Sequence, residues 1–116
     1  MFLTLKHKQL DIYKVARELT KECYRITTLL PDSEKFNLTS QIRRAALSVK
    51  LNLAEGSSRK SKIERNRYYE ISRGSVIEID AALEVVFDLN LLSEKELQQA
   101  GNLLNKCFAM LTKLIS

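Results

Sequence analysis

The chain has 116 residues, 45% hydrophobic and 28% charged, and carries a formal net charge of +5. That length suits one domain with its own hydrophobic core, and the composition excludes an intrinsically disordered chain. Three glycines and one proline supply too little turn chemistry for a β-sandwich, while two distant cysteines and one histidine exclude a zinc module.

The first predicted element covers about residues 9–30, where Ile12, Ala16, Leu19, Cys23, Ile26 and Leu30 alternate spacings of four and three, a bundle-type seam. Pro31 and Asp32 stop it. Ahead of it, Met1 to Leu10 holds apolar residues but neither a continuous apolar core nor a small-residue cleavage site, so no signal peptide is expected. A second helix is predicted over about residues 39–55, with Ile42, Ala45, Val49 and Asn52 on one edge and Ala46 and Leu53 beside them. Gly56, followed by Ser57 and Ser58, reads as its C-terminal stop.

Ser61 and Glu64 form a capping-box pattern that opens a third helix over about residues 62–90, the longest element. Its expected inner edge is Tyr68, Ile71, Ser75, Ile79, Ala82, Val86 and Leu89. A second box, Ser93 with Glu96, opens a fourth helix over about residues 94–115, with Leu97, Ala100, Leu104, Cys107, Leu111 and Leu114 as its seam. Short connections then imply one domain over residues 1–116, an all-α, antiparallel up-down-up-down four-helix bundle. Cys23 and Cys107 each fall within a seam and read as buried free thiols in a cytoplasmic protein.

Charge is distributed unevenly along this scaffold. Residues 1–40 sum to +2, residues 41–73 to +6 and residues 74–116 to −3. Such asymmetry points to a polyanionic partner, to oppositely charged faces that meet in an oligomer, or to both.

Little else in the chain carries chemistry. A di-iron bundle needs Glu-x-x-His on two helices, and the lone His7 precedes the first helix, so inward-pointing Glu55 and Glu78 would lack imidazole partners. Neither a nucleophile with a base beside it nor a Gly-rich phosphate loop is present, and the expectation is a non-enzymatic protein with no metal or cofactor. No apolar run of about 18 residues exists to span a membrane, and surface attachment ranks low because every helix already has a seam to bury.

The basic middle third is the functional lead. Arg43, Arg44, Lys50, Arg59, Lys60, Lys62, Arg65 and Arg67 are candidates to contact RNA or DNA phosphates, with Tyr68 and Tyr69 interleaved for stacking on unpaired bases. The alternative is a solvated helix face, with Arg43 or Arg44 paired to Glu55, Glu70 or Glu78 within or between subunits. Asn52, Ser75 and Glu78 form a polar group on the core edges that would set helix register. Gly74, costly inside a helix, suggests close approach by another backbone.

The ordered set Pro31, Glu34 and Phe36, then QIRRAALSV from Gln41, NLAEGSSR from Asn52, Glu64 with Arg67 and Tyr68, and GSVIEID from Gly74 resembles one bacterial family. These are the four-helix bundle proteins encoded in intervening sequences of 23S ribosomal RNA genes. The resemblance runs from about Leu10 to Leu92, and its motifs are specific in combination rather than singly. It implies a cytoplasmic homo-oligomer, commonly a pentamer. A related branch assists the reverse transcriptase of diversity-generating retroelements as a basic barrel that binds nucleic acid and the transcriptase. Motif positions carried onto this chain are Arg43, Arg44, Asn52, Glu55, Gly56, Arg67, Gly74, Ser75 and Glu78, none with a catalytic role. Two expectations follow: an oligomeric nucleic-acid-binding protein, or an oligomeric scaffold or accessory subunit for a partner such as a reverse transcriptase.

Overall fold

The computed structural model describes residues 1–115, which form four α-helices and, among the described residues, no strand. The helices are α1 (Asp11–Thr27), α2 (Leu38–Ser57), α3 (Lys62–Asp88) and α4 (Glu94–Leu114). Helix α1 packs on α2 and α4, and α3 packs on the same two, so the four close around a shared core. Every seam residue expected on α1 and the following turn is buried, as are Ala100, Leu104, Cys107 and Leu111 of α4. Each helix buries one stripe because its apolar residues recur near the helical period.

Helix α1 is shorter than expected at both ends. Lys6–Gln9 form a separate 3-10 turn, and Leu10 has extended backbone at ψ 140°. At the far end Thr27 Oγ1 donates to the carbonyls of Cys23 (2.8 Å) and Tyr24 (3.0 Å), and Thr28 Oγ1 donates to that of Arg25 (2.6 Å). Two successive threonines thus take up terminal carbonyls. Pro31 then keeps Leu30 from continuing the helix.

Helix α3 has 27 residues and is about 40 Å long at 1.5 Å per residue, close to the 44 Å long dimension of the molecule. Ser61 Oγ accepts from the Glu64 amide, which is half of the expected capping box; Ser93 and Glu96 complete theirs reciprocally. Asn90, at φ 59°, ends α3 in the left-handed region, with Asn90 N–H donating to Phe87 and Leu91 N–H to Val86. Asparagine tolerates that conformation better than most non-glycine residues.

The inner edge of α3 differs from the expected one. Ser75, Ile79 and Val86 are buried as anticipated, but the stripe continues through Tyr69, Ser72, Val76 and Leu83. Ile71 and Leu89 are instead 46% and 57% exposed. The reason is a polar contact: fully buried Ser72 donates from Oγ to the Val49 carbonyl of α2 at 2.7 Å. A hydrogen-bonded serine sits in the core at little cost, and the rotation that places it there turns Ile71 outward. Beside it, Ser75 Oγ donates to Ser48 Oγ (2.8 Å), which also accepts from Asn52 Nδ2 (3.0 Å). The expected polar group therefore exists as Ser48, Asn52 and Ser75, and Glu78 is outside it, exposed.

Two glycines correct the earlier expectations. Gly56 does not stop α2; it lies inside the helix, buried against α3, and a Cβ there would be 2.9 Å from Tyr68 Cβ and 2.9 Å from Tyr69 Cε1. Close helix approach, not helix ending, is its role. A Cβ on Gly74 would meet nothing within 4 Å, so no backbone approaches it inside the subunit. Gly74→Ala is accordingly expected to raise subunit stability by about 1 kcal/mol. Urea denaturation checks it, and a loss instead would show that a contact outside the subunit needs the glycine.

Both cysteines are free and buried. Burial pushes each thiol from 9.0 up to about 12, with neighbouring Glu22 and Cys107 adding to the effect at Cys23. Because the unfolded thiols ionise near 9 and the folded ones near 12, their contribution is complete below pH 9 and is lost as pH rises through that window. A Cys23→Ala, Cys107→Ala variant should therefore show a shallower alkaline loss of stability, by up to about 1.4 kcal/mol per pH unit for each thiol. Denaturant titrations at pH 8 and pH 11 read the difference.

Candidate nucleic-acid interface

The eight basic candidates divide into two groups by what their side chains touch. Arg43 is half-buried: Nε donates to Thr27 Oγ1 at 2.8 Å, and the guanidinium lies 4.8 Å from the Tyr24 ring centroid. It clasps α2 to α1. Neither Arg43 nor Arg44 pairs with Glu55, Glu70 or Glu78; the only ion pairs among the described residues are Lys21–Glu18, Arg25–Glu22 and Arg59–Glu55. Lys50 is half-buried with Nζ 5.8 Å from the Tyr13 ring centroid.

Arg59 and Arg65 organise the connection between α2 and α3. Arg59 Nη2 donates to Glu55 Oε1 (2.9 Å) and to the Tyr68 hydroxyl (3.3 Å), and its guanidinium is 5.1 Å from the Tyr68 centroid. The hydrogen bond to Tyr68, then the Tyr68 and Glu55 charges, raise its pKa. Arg65 Nη1 donates to the carbonyls of Lys60 (2.6 Å) and Arg59 (3.2 Å), pinning the turn from the third helix. Glu55 is thus exposed and serves the turn rather than pointing inward.

Arg44, Lys60, Lys62 and Arg67 are exposed, with no ion pair, side-chain hydrogen bond or ring contact among the described residues. Lys60, Lys62 and Arg67 cluster at the α2–α3 end around Ile63, which is 84% exposed. Arg44 lies about 20 Å from Ser57 along α2, well apart from that cluster.

The segment ahead of α1 joins the same end of the molecule, which the sequence reading did not foresee. Leu3, His7 and Lys8 line an open depression of about 630 Å³ together with Tyr13, Glu55 and Tyr68. The His7 ring stands edge-on to Tyr13 at 5.1 Å, and burial followed by the Lys8 charge lowers the His7 pKa. The Met1 amino group also has a lowered pKa, with neighbouring Lys8 as the largest cause and the charges of Arg17 and Lys50 adding to it, while Lys8 Nζ itself donates to the Leu3 carbonyl at 2.7 Å. The carboxylate in this lining, Glu55, is already paired with Arg59. The run Lys6, His7, Lys8 was the available signal, but no periodicity tied it to the distant Arg17 and Lys50.

The family of 23S rRNA-intervening sequence proteins matches residues 8–113 of this chain. The chain belongs to that family. A solved structure of a protein of unknown function from the S23 ribosomal protein family of Bacteroides thetaiotaomicron superposes with a TM-score of 0.83. The two chains are 17% identical over 90% of this chain and 98% of that one, a likeness of fold. No curated protein matches the chain. Within this family member the motif around Gly56 is explained by helix packing, and the Arg43–Arg44 pair divides into one arginine held inside and one facing solvent.

Among the described residues no helix is long and apolar enough to cross a membrane, and no three His, Cys, Asp or Glu side chains group as metal ligands would. Arg43→Ala should cost about 1–2 kcal/mol of stability through the lost Thr27 bond and Tyr24 contact, with little change in any nucleic-acid affinity. Thermal melts alongside anisotropy titrations separate these effects.

Proposed function

We propose that this protein is a non-enzymatic, cytoplasmic homo-oligomer that binds RNA or DNA through a basic surface. The observation that carries the reading is the freedom of Arg44, Lys60, Lys62 and Arg67, four exposed cations inside the segment of charge +6. Cations already engaged within a subunit contribute to its stability, whereas unengaged ones are available to phosphate. Arg43, Arg59 and Arg65 belong to the first kind and supply the rigid mounting. Ring-like assembly, with a pentamer suggested by the resemblance, would repeat the four charges on every subunit.

The chain is read as a single domain, and short links of four or five residues between α2, α3 and α4 support an antiparallel up-down arrangement. Fluorescence anisotropy with labelled RNA and DNA from low to moderate salt tests the function. Expected is binding whose log affinity falls linearly with log salt. Absence of binding to either polymer at low salt would overturn it. A second reading, an oligomeric scaffold or accessory subunit for a protein such as a reverse transcriptase, draws on apolar residues exposed along α3 and just past its end: Ile71, Ile77, Val85, Phe87 and Leu89. Intact nucleic-acid binding in the absence of any partner distinguishes the first reading from the second.

A further inference from the structure

The groove between α3 and α4 has a volume of about 630 Å³ and an unusual lining. Its floor is apolar, from Leu83, Phe87, Leu97 and Leu104, and its rim carries the carboxylates of Asp80, Glu84, Asp88 and Glu94. No lysine or arginine lines it, and none of the four carboxylates takes part in an ion pair among the described residues. Gly101 of α4 also faces this groove, and a Cβ on it would meet nothing within 4 Å. Glycine there costs α4 about 1 kcal/mol against alanine with no return inside the subunit.

The segment ahead of α1 has the opposite character. Met1 and Phe2 are 99% and 89% exposed, Leu3 and Leu5 are also exposed, and Lys6 and Lys8 follow with no acidic residue before Asp11. Its Met1 amino group feels the charges of Arg17 and Lys50, and Lys8 Nζ is held by the Leu3 carbonyl of the same segment, at 2.7 Å. Apolar side chains followed by two cations match an apolar floor rimmed by carboxylates. The segment cannot readily satisfy its own groove. It rests beside Tyr68, whereas Asp80, the nearest groove residue along α3, is about 18 Å further on. Helix α1 moreover packs chiefly on α2 and α4.

We propose that the α3–α4 groove receives the segment Met1–Lys8 of a second copy of this chain, with Phe2 and Leu3 on the apolar floor and Lys6 and Lys8 against Glu84 and Asp88. The proposal rests on the homo-oligomer reading above and identifies one surface on each side of the contact. Linking basic segment to acidic groove is heterologous, so successive copies join head to tail, and a ring results where the rotation from copy to copy closes.

Light scattering after size exclusion, across a dilution series, tests it with charge swaps. Lys6→Glu with Lys8→Glu, and separately Glu84→Lys with Asp88→Lys, should each weaken assembly by about tenfold. Combining all four substitutions in one chain should restore it, which lost folding could not mimic. Removal of Met1–Leu5, outside the four-helix core, should weaken assembly by about a hundredfold. Unchanged mass in both charge-reversed variants would overturn the segment-in-groove contact and leave the oligomer reading standing. Weakening by the groove variant alone would assign the groove to another element, such as the Ile63 end of α3, and likewise overturn it. A wild-type chain that is monomeric at every concentration would remove the oligomer reading itself, and this proposal with it.

Discussion

Neutralising Arg44, Lys60, Lys62 and Arg67 together with glutamine is expected to lower nucleic-acid affinity by about two to three orders of magnitude at moderate salt. Each phosphate contact releases condensed counterions, so losing four should also flatten the slope of log affinity against log salt by about 3.6 per bound subunit. All four side chains are exposed and without charged partners among the described residues, so the folded subunit should hardly notice their replacement. Anisotropy titrations at several salt concentrations, with circular dichroism as the folding control, provide the measurement. An unchanged slope would show that these cations do not meet phosphate, whatever happens to affinity at one salt. Arg43→Ala supplies the contrast, since its guanidinium is committed to Thr27 and Tyr24.

Gly56→Ala should destabilise the subunit by about 2–3 kcal/mol. Helix propensity alone predicts the reverse, because alanine is favoured over glycine by about 1 kcal/mol in a helix interior. Contact decides the sign. The added methyl would be 2.9 Å from Tyr68 Cβ, an atom fixed to the α3 backbone, and within 3.0 Å of two ring carbons of Tyr69. Tyr69 is buried, and its hydroxyl lies 3.2 Å from Ser57 Oγ, so the ring cannot swing aside without breaking that bond. Relief must come from moving α3 away from α2, which opens the core at Leu53 and Val76. Chemical denaturation of both proteins measures the cost, and a stabilised variant would show that the helices separate freely.

The four helices were legible because three kinds of signal coincided: seams at helical spacing, hydroxyl caps at Ser61 and Ser93, and a proline after the first seam. What periodicity misjudged was rotation about an axis. Ile71 outranks Ser72 on any hydropathy scale, yet Ser72 is inside because the Val49 carbonyl accepts its proton. Such a bond depends on a second helix and leaves no trace in local spacing. Gly56 was misread for a related reason. A glycine near a serine pair resembles a helix stop, and only the two tyrosines of the next helix reveal it as a gap to be filled.

The basic segment shows the same limit. Charge along the chain marks a basic segment but not which of its cations are engaged within the subunit. Arg43 and Arg44 are neighbours about 100° apart on one helix, so one meets Tyr24 while the other meets solvent. Arg65 offered no sign that it would hold the backbone of the preceding turn. Of the acidic groove's four carboxylates, Asp80, Glu84 and Asp88 share one face of α3 by their spacing of four, whereas pairing α3 with α4 adds Glu94 and the apolar floor between the helices.

The bond from Ser72 to Val49 and the Ser75–Ser48–Asn52 group have a kinetic consequence. They join helices adjacent in sequence, where closing the intervening loop costs little entropy, and α2 with α3 is also the most extensive helix pair. Contacts between α1 and α4 bring together the two ends of the chain and must wait for that longer closure. The α2–α3 pair is therefore the expected folding nucleus, with substitutions at Ser72 slowing folding and those at Cys107 chiefly hastening unfolding. Stopped-flow chevrons of the two variants would invert this order if α1 and α4 met first.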